Sequence, residues 1–322
     1  MAKAEDKLVS IVVPVYNEVL GLQAFHDSLV AVLQADTKIE NEIIYVDDGS
    51  TDRTATLVRE LHSKNPAVRL VRLSRNFGKE IATTAGIHEA RGDCVITLDA
   101  DGQHPVELIP EFLKRWQAGD KVVIGLRTAN QREGLVKRYG SKLFYWLINR
   151  LAGVKLVPGA TDFRLIDRTI QQEFVRMTEH GRITRGLIDW LGYQREYVPF
   201  KANPRLHGEA SYSFSKLFKL AIDSVISLSV SPLFIAAYIG AVVLPLSVLV
   251  GLVMVVDALV GDPLNLNVSG SAYVVVLLLF LVGVLLVSQG IIGLYLSHIH
   301  TETQNRPLYV VDKQGSTGAN EG

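Results

Sequence analysis

Asp99 and Asp101 stand two residues apart at the end of an apolar, β-prone run, Cys94–Leu98, and are followed by Gly102-Gln103-His104-Pro105. In an extended chain, residues i and i+2 face the same side, so the two carboxylates can converge on one object. Paired carboxylates with oxygen-only neighbours suit a hard cation, Mg²⁺ or Mn²⁺, which commonly also holds a substrate phosphate. The same residues also make turns and cap helices, so the Asp-x-Asp spacing alone leaves both readings open. Other groups able to do chemistry are Tyr16-Asn17-Glu18, Asp47-Asp48, Arg75-Asn76 and Arg127. No Gly-x-Gly-x-x-Gly follows the first apolar run, and no Gly-x-x-x-x-Gly-Lys-Ser/Thr occurs, so a pyrophosphate is not held by a glycine-rich loop of either kind. A cation on Asp99 and Asp101, with Arg127 and the basic run Arg132, Lys137 and Arg138, is the alternative. That basic run reads equally as a solvated helix face.

The elements that must position these residues alternate. Val9–Tyr16, Glu42–Val46, Val68–Leu73, Cys94–Leu98 and Lys121–Leu126 read as strands. Between them lie a helical pattern built on Leu22, Phe25, Leu29 and Leu33, a helix over Asp52–Ser63 with Ser50 or Thr51 as its N-cap, and helices over Gly78–Arg91 and Val106–Ala118. Such alternation predicts an α/β domain, a mostly parallel sheet with helices on both faces. Ligands of these sheets sit at the carboxyl ends of the strands, where the candidate residues fall.

Acidic and basic residues balance at 33 each, so no global charge points to nucleic acid. The one cysteine, Cys94, lies in an apolar run and fits a buried position in a reducing, cytoplasmic domain. The first residues, with Lys3 and Lys7 among acids and an apolar run ending at Pro14, do not read as a signal peptide. The composition changes late in the chain. From Leu220 to Asn305 there is no Lys or Arg, and two uncharged stretches, Leu233–Val256 and Ala272–Ser297, each exceed the roughly 20 residues needed to cross a bilayer as a helix. Lys216 and Lys219 precede them and Arg306 and Lys313 follow, which puts both ends in the cytoplasm and the segment Asp257–Ser271 outside. Phe214–Ser231 carries an apolar face at helical spacing beside Lys216 and Lys219, and reads as an interfacial or a plain connecting helix. The tail from Gln314 reads as disordered.

Taken together, Val12-Val13-Pro14-Val15-Tyr16-Asn17-Glu18, Val46-Asp47-Asp48-Gly49-Ser50-Thr51-Asp52, Ser74-Arg75-Asn76-Phe77-Gly78-Lys79-Glu80 and Asp99-Ala100-Asp101-Gly102-Gln103-His104-Pro105 resemble the inverting GT-A glycosyltransferases of family 2. More closely the chain resembles the polyprenyl-phosphate glycosyltransferases: dolichol-phosphate mannose synthase and bacterial GtrB-type enzymes that glucosylate undecaprenyl phosphate. The resemblance covers residues 8–215 and implies a GT-A (Rossmann-like) cytoplasmic domain over 1–212, a juxtamembrane helix over 213–231, two transmembrane helices within 232–300 and a cytoplasmic tail over 301–322. It implies that Pro14, Tyr16, Glu18, Val46 and Asp48 surround the nucleoside, that Asp99 faces the ribose and phosphates, and that Asp101 and Gln103, with Asp99 direct or through water, hold Mg²⁺ or Mn²⁺. Arg127 and Arg138 would meet the pyrophosphate or the acceptor phosphate. Thr161-Asp162-Phe163-Arg164-Leu165 resembles the segment beneath the sugar, which makes Asp162 the candidate base; a helix cap or a salt bridge with Arg164 is the other reading. A phosphate monoester is mostly dianionic at neutral pH, so Asp162 could instead position a hydroxyl or the acceptor. Arg205-Leu206-His207-Gly208-Glu209-Ala210-Ser211-Tyr212 resembles the family's Arg-x-x-Gly-x-Ser-Lys-Tyr acceptor motif, with Ala210 and Ser211 departing from it. Arg205, Ser211 and Tyr212 remain for the lipid phosphate.

The implied activity is inverting transfer of a hexose from a nucleotide sugar, UDP-glucose by resemblance, to undecaprenyl phosphate, in a multi-pass inner-membrane homo-oligomer such as a tetramer. A GDP-mannose-dependent enzyme is the nearest alternative. A processive polysaccharide synthase would carry Gln-x-x-Arg-Trp, which is absent. A non-catalytic membrane scaffold predicts loss of the strand-end acids, and all are present.

Overall fold

The computed structural model describes residues 7–35, 39–128, 157–203 and 270–317, together with five helical residues between 242 and 256. Seven strands form one sheet in the order β3-β2-β1-β4-β6-β5-β7: β1 Leu8–Val15, β2 Glu40–Asp47, β3 Val68–Arg72, β4 Cys94–Thr97, β5 Val122–Arg127, β6 Ala160–Asp167 and β7 Arg195–Phe200. All neighbours are parallel except β6, which runs antiparallel to both β4 and β5. The central strands are apolar throughout because both faces are covered. Val9, Ile11, Val13 and Val15 face one core, with α1 Leu22–Ala35, α2 Thr54–Lys64 and α4 Ile109–Gln117 packed on it. Val12, Ile44 and Val46 face the other, with α3 Lys79–Glu89, α5 Arg168–Val175 and α6 Thr184–Trp190.

The expected elements occur, with shifted ends. The segment from Val106 opens as a 3₁₀ turn to Leu108 before α4. Neither Ser50 nor Thr51 caps α2. The Thr54 N–H donates to Asp52 Oδ1 at 2.9 Å, while the Ser50 hydroxyl accepts the Asn17 N–H at 3.0 Å. Cys94 is fully buried. At the amino-terminal end of the sheet, Arg69 joins Glu42 at 2.9 Å and Glu89 at 3.3 Å. Glu42 also accepts from the Ser10 hydroxyl at 2.6 Å and the Arg91 N–H at 2.7 Å, and Arg69 donates to the Glu89 carbonyl at 3.0 Å.

Of the stretch from Gln314 where disorder was expected, residues 314–317 are described and bonded to the sheet edge, continuing a pairing that begins at Val310. The Ser74 N–H donates to the Val310 carbonyl at 2.8 Å, the Asp312 N–H to Arg72 at 2.8 Å and the Thr317 N–H to Leu70 at 2.9 Å. Leu73 and Val311 form an antiparallel bridge, and Arg59 Nη2 holds the Gly315 carbonyl at 3.0 Å. The unpaired backbone edge of β3 recruits this segment, and its Gly-Ser-Thr composition takes part: the Arg72 and Leu70 N–H groups donate to the Ser316 and Thr317 hydroxyls at 2.9 and 2.7 Å. The Tyr309 hydroxyl lies 3.1 Å from His88 Nδ1, and burial beside Arg182 lowers His88 to about 4.

A second compact unit comprises residues 147–153 and 215–305. Its described part is chiefly α7, Gly270–Thr303, of 34 residues. Within α7, Phe280–Thr303 contains an 18-residue window of mean hydropathy 2.0 and is the one segment among the described residues long and apolar enough to cross a membrane. Leu278, Leu285, Val287 and Leu296 are all exposed. A helix that is apolar on every side needs lipid or protein around it. α7 contains the expected span Ala272–Ser297 and takes in Gly270 and Ser271, which were expected in the outer loop. Of the expected span Leu233–Val256, only Val242, Pro245, Leu249, Leu252 and Val256 are described, all helical and exposed. The juxtamembrane segment 213–231 lies outside the described residues.

Candidate active site

In the sheet, β2 and β3 lie to one side of β1 and β4 to the other. Loops leaving β1 and β4 therefore diverge, and a crevice opens at their carboxyl ends. A cleft of about 370 Å³ occupies this place, lined among others by Pro14, Tyr16, Glu18, Asp48, Asp99 and Asp101. Its floor is stapled from β1 to β2. Asn17, at φ 54°, accepts the Thr51 N–H at 2.9 Å, and the Glu18 N–H donates to Thr54 Oγ1 at 3.0 Å. Gly49 sits at φ 70°, and a Cβ there would come within 2.5 Å of the Arg75 backbone, so only glycine lets the β2 and β3 loops meet. Asp48 exploits that approach: its carboxylate accepts the Phe77 and Gly78 N–H groups at 2.7 and 2.9 Å. Burial raises its pKa despite those bonds.

Asp99 and Asp101 lie just past β4 rather than within it, and Asp101 Oδ1 accepts the Gln103 N–H at 3.0 Å. The turn reading of this motif thus holds, and both carboxylates also line the cleft. His104, stacked on Phe163 with ring centroids 5.4 Å apart, accepts the Asp99 N–H through Nδ1 at 3.2 Å. Burial lowers the His104 pKa, which suits an unprotonated acceptor nitrogen. Lys79, the first residue of α3, crosses the cleft. Its Nζ lies 2.7 Å from Asp99 Oδ1 and 3.0 Å from Asp162 Oδ2.

Asp162 is therefore paired with Lys79 and not with Arg164, whose guanidinium lies 3.7 Å from Asp189 and is fully buried. Burial alone would raise the Asp162 carboxyl, but Lys79, Arg164 and Arg185 together hold it down at about 2. The donors offered to a divalent cation are all oxygen, and a cationic nitrogen already sits at Asp99, so the place stabilises positive charge. Among the described residues no group of three His, Cys, Asp or Glu side chains forms a metal cage. Two carboxylates completed by substrate phosphates is the usual Mg²⁺ arrangement.

The model for "Glycosyl transferase family 2" matches residues 10–174. The chain belongs to glycosyltransferase family 2. An uncharacterized glycosyltransferase of Synechocystis is 39% identical over 94% of this chain and 94% of its own length. The SfII prophage-derived bactoprenol glucosyl transferase of Shigella flexneri is 36% identical over 95% and 97%. A prophage bactoprenol glucosyl transferase homolog of Escherichia coli is 33% identical over 95% and 98%. The structure of mannosyl-3-phosphoglycerate synthase from Rubrobacter xylanophilus superposes with a TM-score of 0.50 at 20% identity, covering 69% of this chain and 72% of that one. The fold is accordingly GT-A-like, and the chain is an enzyme of the glycosyltransferase class.

Of the expected site residues, Pro14, Tyr16, Glu18, Asp48, Asp99 and Asp101 meet in the enzyme's cleft. Asp162 joins them through Lys79. Val46 does not line the cleft: its side chain is fully buried in the core beneath α3. Gln103 and Arg127 are also absent from the wall; the Gln103 carbonyl accepts from Asn203, and Arg127 is exposed at the end of β5. Arg138, Arg205, Ser211 and Tyr212, with Arg132, Lys137 and His207, lie outside the described residues. Lys79 was not among the expected site residues. The available signal was a lysine opening a helix, at the end where the dipole disfavours cations.

Proposed function

We propose that this family 2 glycosyltransferase moves a hexose, glucose from UDP-glucose, onto undecaprenyl phosphate and inverts the anomeric centre. The observation that carries the reading is the near full-length likeness, late apolar segment included, to proteins named bactoprenol glucosyl transferase. Tyr16 and Pro14 would flank the nucleoside, and Glu18 would accept from base or ribose. Asp48, whose two oxygens brace the Phe77–Gly78 loop, would offer its remaining lone pairs. Asp99 and Asp101 would hold a divalent cation, which supplies charge neutralisation for the departing diphosphate. Arg127 and Arg138 would add to that field, and Arg205, Ser211 and Tyr212 would seat the lipid phosphate. A phosphate oxygen of the acceptor bonds to the anomeric carbon while the bond from that carbon to the diphosphate oxygen breaks, and the nucleoside diphosphate leaves with the electron pair. One displacement gives a β-linked lipid-phosphate sugar from an α-linked donor.

Asp162 is better suited to positioning than to taking a proton. It is tied to Lys79 at 3.0 Å and held near 2, and a dianionic acceptor needs no base.

The tail supports an even number of crossings. Residues 306–317 belong to the same unit as the sheet and pair with β3. A segment whose two ends return to one domain crosses a bilayer an even number of times or not at all. If α7 is one crossing, Leu233–Val256 supplies the other, and both termini stay on the cytoplasmic side with the catalytic domain. Gly283, Gly290 and Gly293, each open where a Cβ would project, offer small-residue contacts for a homo-oligomer.

The test is transfer by the full-length, detergent-solubilised protein. It is supplied with undecaprenyl phosphate, Mg²⁺ or Mn²⁺, and labelled UDP-glucose, UDP-galactose, UDP-N-acetylglucosamine or GDP-mannose in separate reactions. A metal-dependent, chloroform-soluble product from UDP-glucose is expected. Product from GDP-mannose alone would replace the donor, and failure of every donor to bind would overturn the reading.

A further inference from the structure

Lys79 is placed against its local electrostatics. It opens an α-helix of 11 residues, where the dipole opposes a cation. Gly78 precedes it at φ 98°, and the Gly78 N–H is spent on Asp48. What holds the ammonium there is the pair of carboxylates, Asp99 from the end of β4 and Asp162 from β6, at 2.7 and 3.0 Å. These contacts raise the Lys79 pKa against the opposing effect of burial. One amine thus links α3, β4 and β6 inside the cleft where substrate phosphates would bind.

The linkage is built to change partners. A lysine ammonium is a point charge on a flexible stem with rotatable donors, unlike the fixed fork of arginine. The Lys79 side chain is 46% exposed, so it turns without unpacking a core. Asp99 serves both Lys79 and the expected divalent cation. With Lys79 in place, a second cation at Asp99 meets a like charge within a few ångströms. A nucleoside diphosphate in the same cleft reverses that sign, because its phosphates accept both cations.

We propose that Lys79 is the resident cation of the donor site, holding Asp99 to Asp162 while the cleft is empty and yielding Asp99 to a divalent cation only when a nucleoside diphosphate enters. Metal and nucleotide then bind as a coupled pair, each tightening the other by the same factor. The inference rests on the donor-site reading for the identity of the anion, but its test reads no transfer.

The experiment is Mn²⁺ binding to the full-length protein, followed by electron paramagnetic resonance of free Mn²⁺, without nucleotide and with UDP or GDP in separate arms. In the wild type, one nucleotide is expected to tighten Mn²⁺ by about tenfold or more. Lys79→Gln and Lys79→Met are expected to bind Mn²⁺ alone about tenfold more tightly than the wild type and to lose most of the nucleotide's effect. Lys79→Arg, which keeps the charge, should still bind Mn²⁺ alone weakly. A wild type whose Mn²⁺ affinity ignores both nucleotides overturns the proposal, and so does a neutral variant that binds Mn²⁺ no better than wild type. The wild-type arm decides even if the neutral variants fail to fold. Loss of transfer with every donor would sink the functional reading and leave these binding results standing.

Discussion

Two clusters in the same sheet have the same formula, one cation and two carboxylates. At the amino-terminal end, Arg69 joins Glu42 and Glu89; at the carboxyl end, Lys79 joins Asp99 and Asp162. The Arg69 and Glu42 side chains are 10% and 8% exposed, and Glu42 fills its remaining sites with Ser10 and the Arg91 backbone. The Lys79 side chain is 46% exposed, and Lys79 and Asp99 line an open cleft. The first cluster gives its hydrogen bonds to fixed backbone and is a clamp. The second holds a charge by contacts that a ligand can replace. The difference lies in the surroundings and in arginine's fork against lysine's point charge, not in the charges themselves.

Three experiments would sharpen or break that contrast. Arg69→Met leaves Glu42 buried without its partner and should cost about 3–5 kcal/mol of stability, read from denaturant unfolding of the full chain; an unchanged midpoint would mean that the first cluster is no clamp. Asp162→Asn should lower transfer by up to about a hundredfold through misplacement. The Asp162 carboxyl sits near 2, below its unfolded value of 3.8. Its stabilising contribution is therefore complete above pH 3.8 and is lost as pH falls through 2. An acid limb of the rate near pH 6 belongs to the acceptor phosphate, whose second pKa is about 6, and should stay in place in Asp162→Asn. A limb that disappears in that variant would make Asp162 the base. The smallest effect is on the stability of Lys79→Gln, expected within about 1 kcal/mol of wild type because these ion pairs are partly open to solvent. A large loss in its melting curve would turn the second cluster into a clamp like the first.

The parallel half of the sheet was legible because strands covered on both faces are written as unbroken apolar runs such as Ile11–Val13 and Cys94–Ile96. β6 and β7 were not among the expected strands. β6 carries Asp162 and a fully buried Arg164, and the charge of Arg164 is answered by Asp189 on α6, a pairing that no sequence spacing announces. The cleft acids were legible as strand-end residues. Lys79 was not, since its partners lie 20 and 83 positions away. The paired tail was hidden for another reason: its partners on β3 lie 244 and 247 positions away, and short polar residues such as Ser316 and Thr317 read equally as disordered until a sheet edge offers them N–H groups.

That attachment also sets a schedule for synthesis. Leu70 bonds to Thr317, 247 residues later. At about 5–20 residues per second, the edge of β3 stays open for roughly 10–50 s after it leaves the ribosome. During that interval the sheet has a free backbone row to which any passing strand could add. The edge of β3 is covered only when translation has passed the whole apolar segment, so completion of the sheet comes after that stretch has been made.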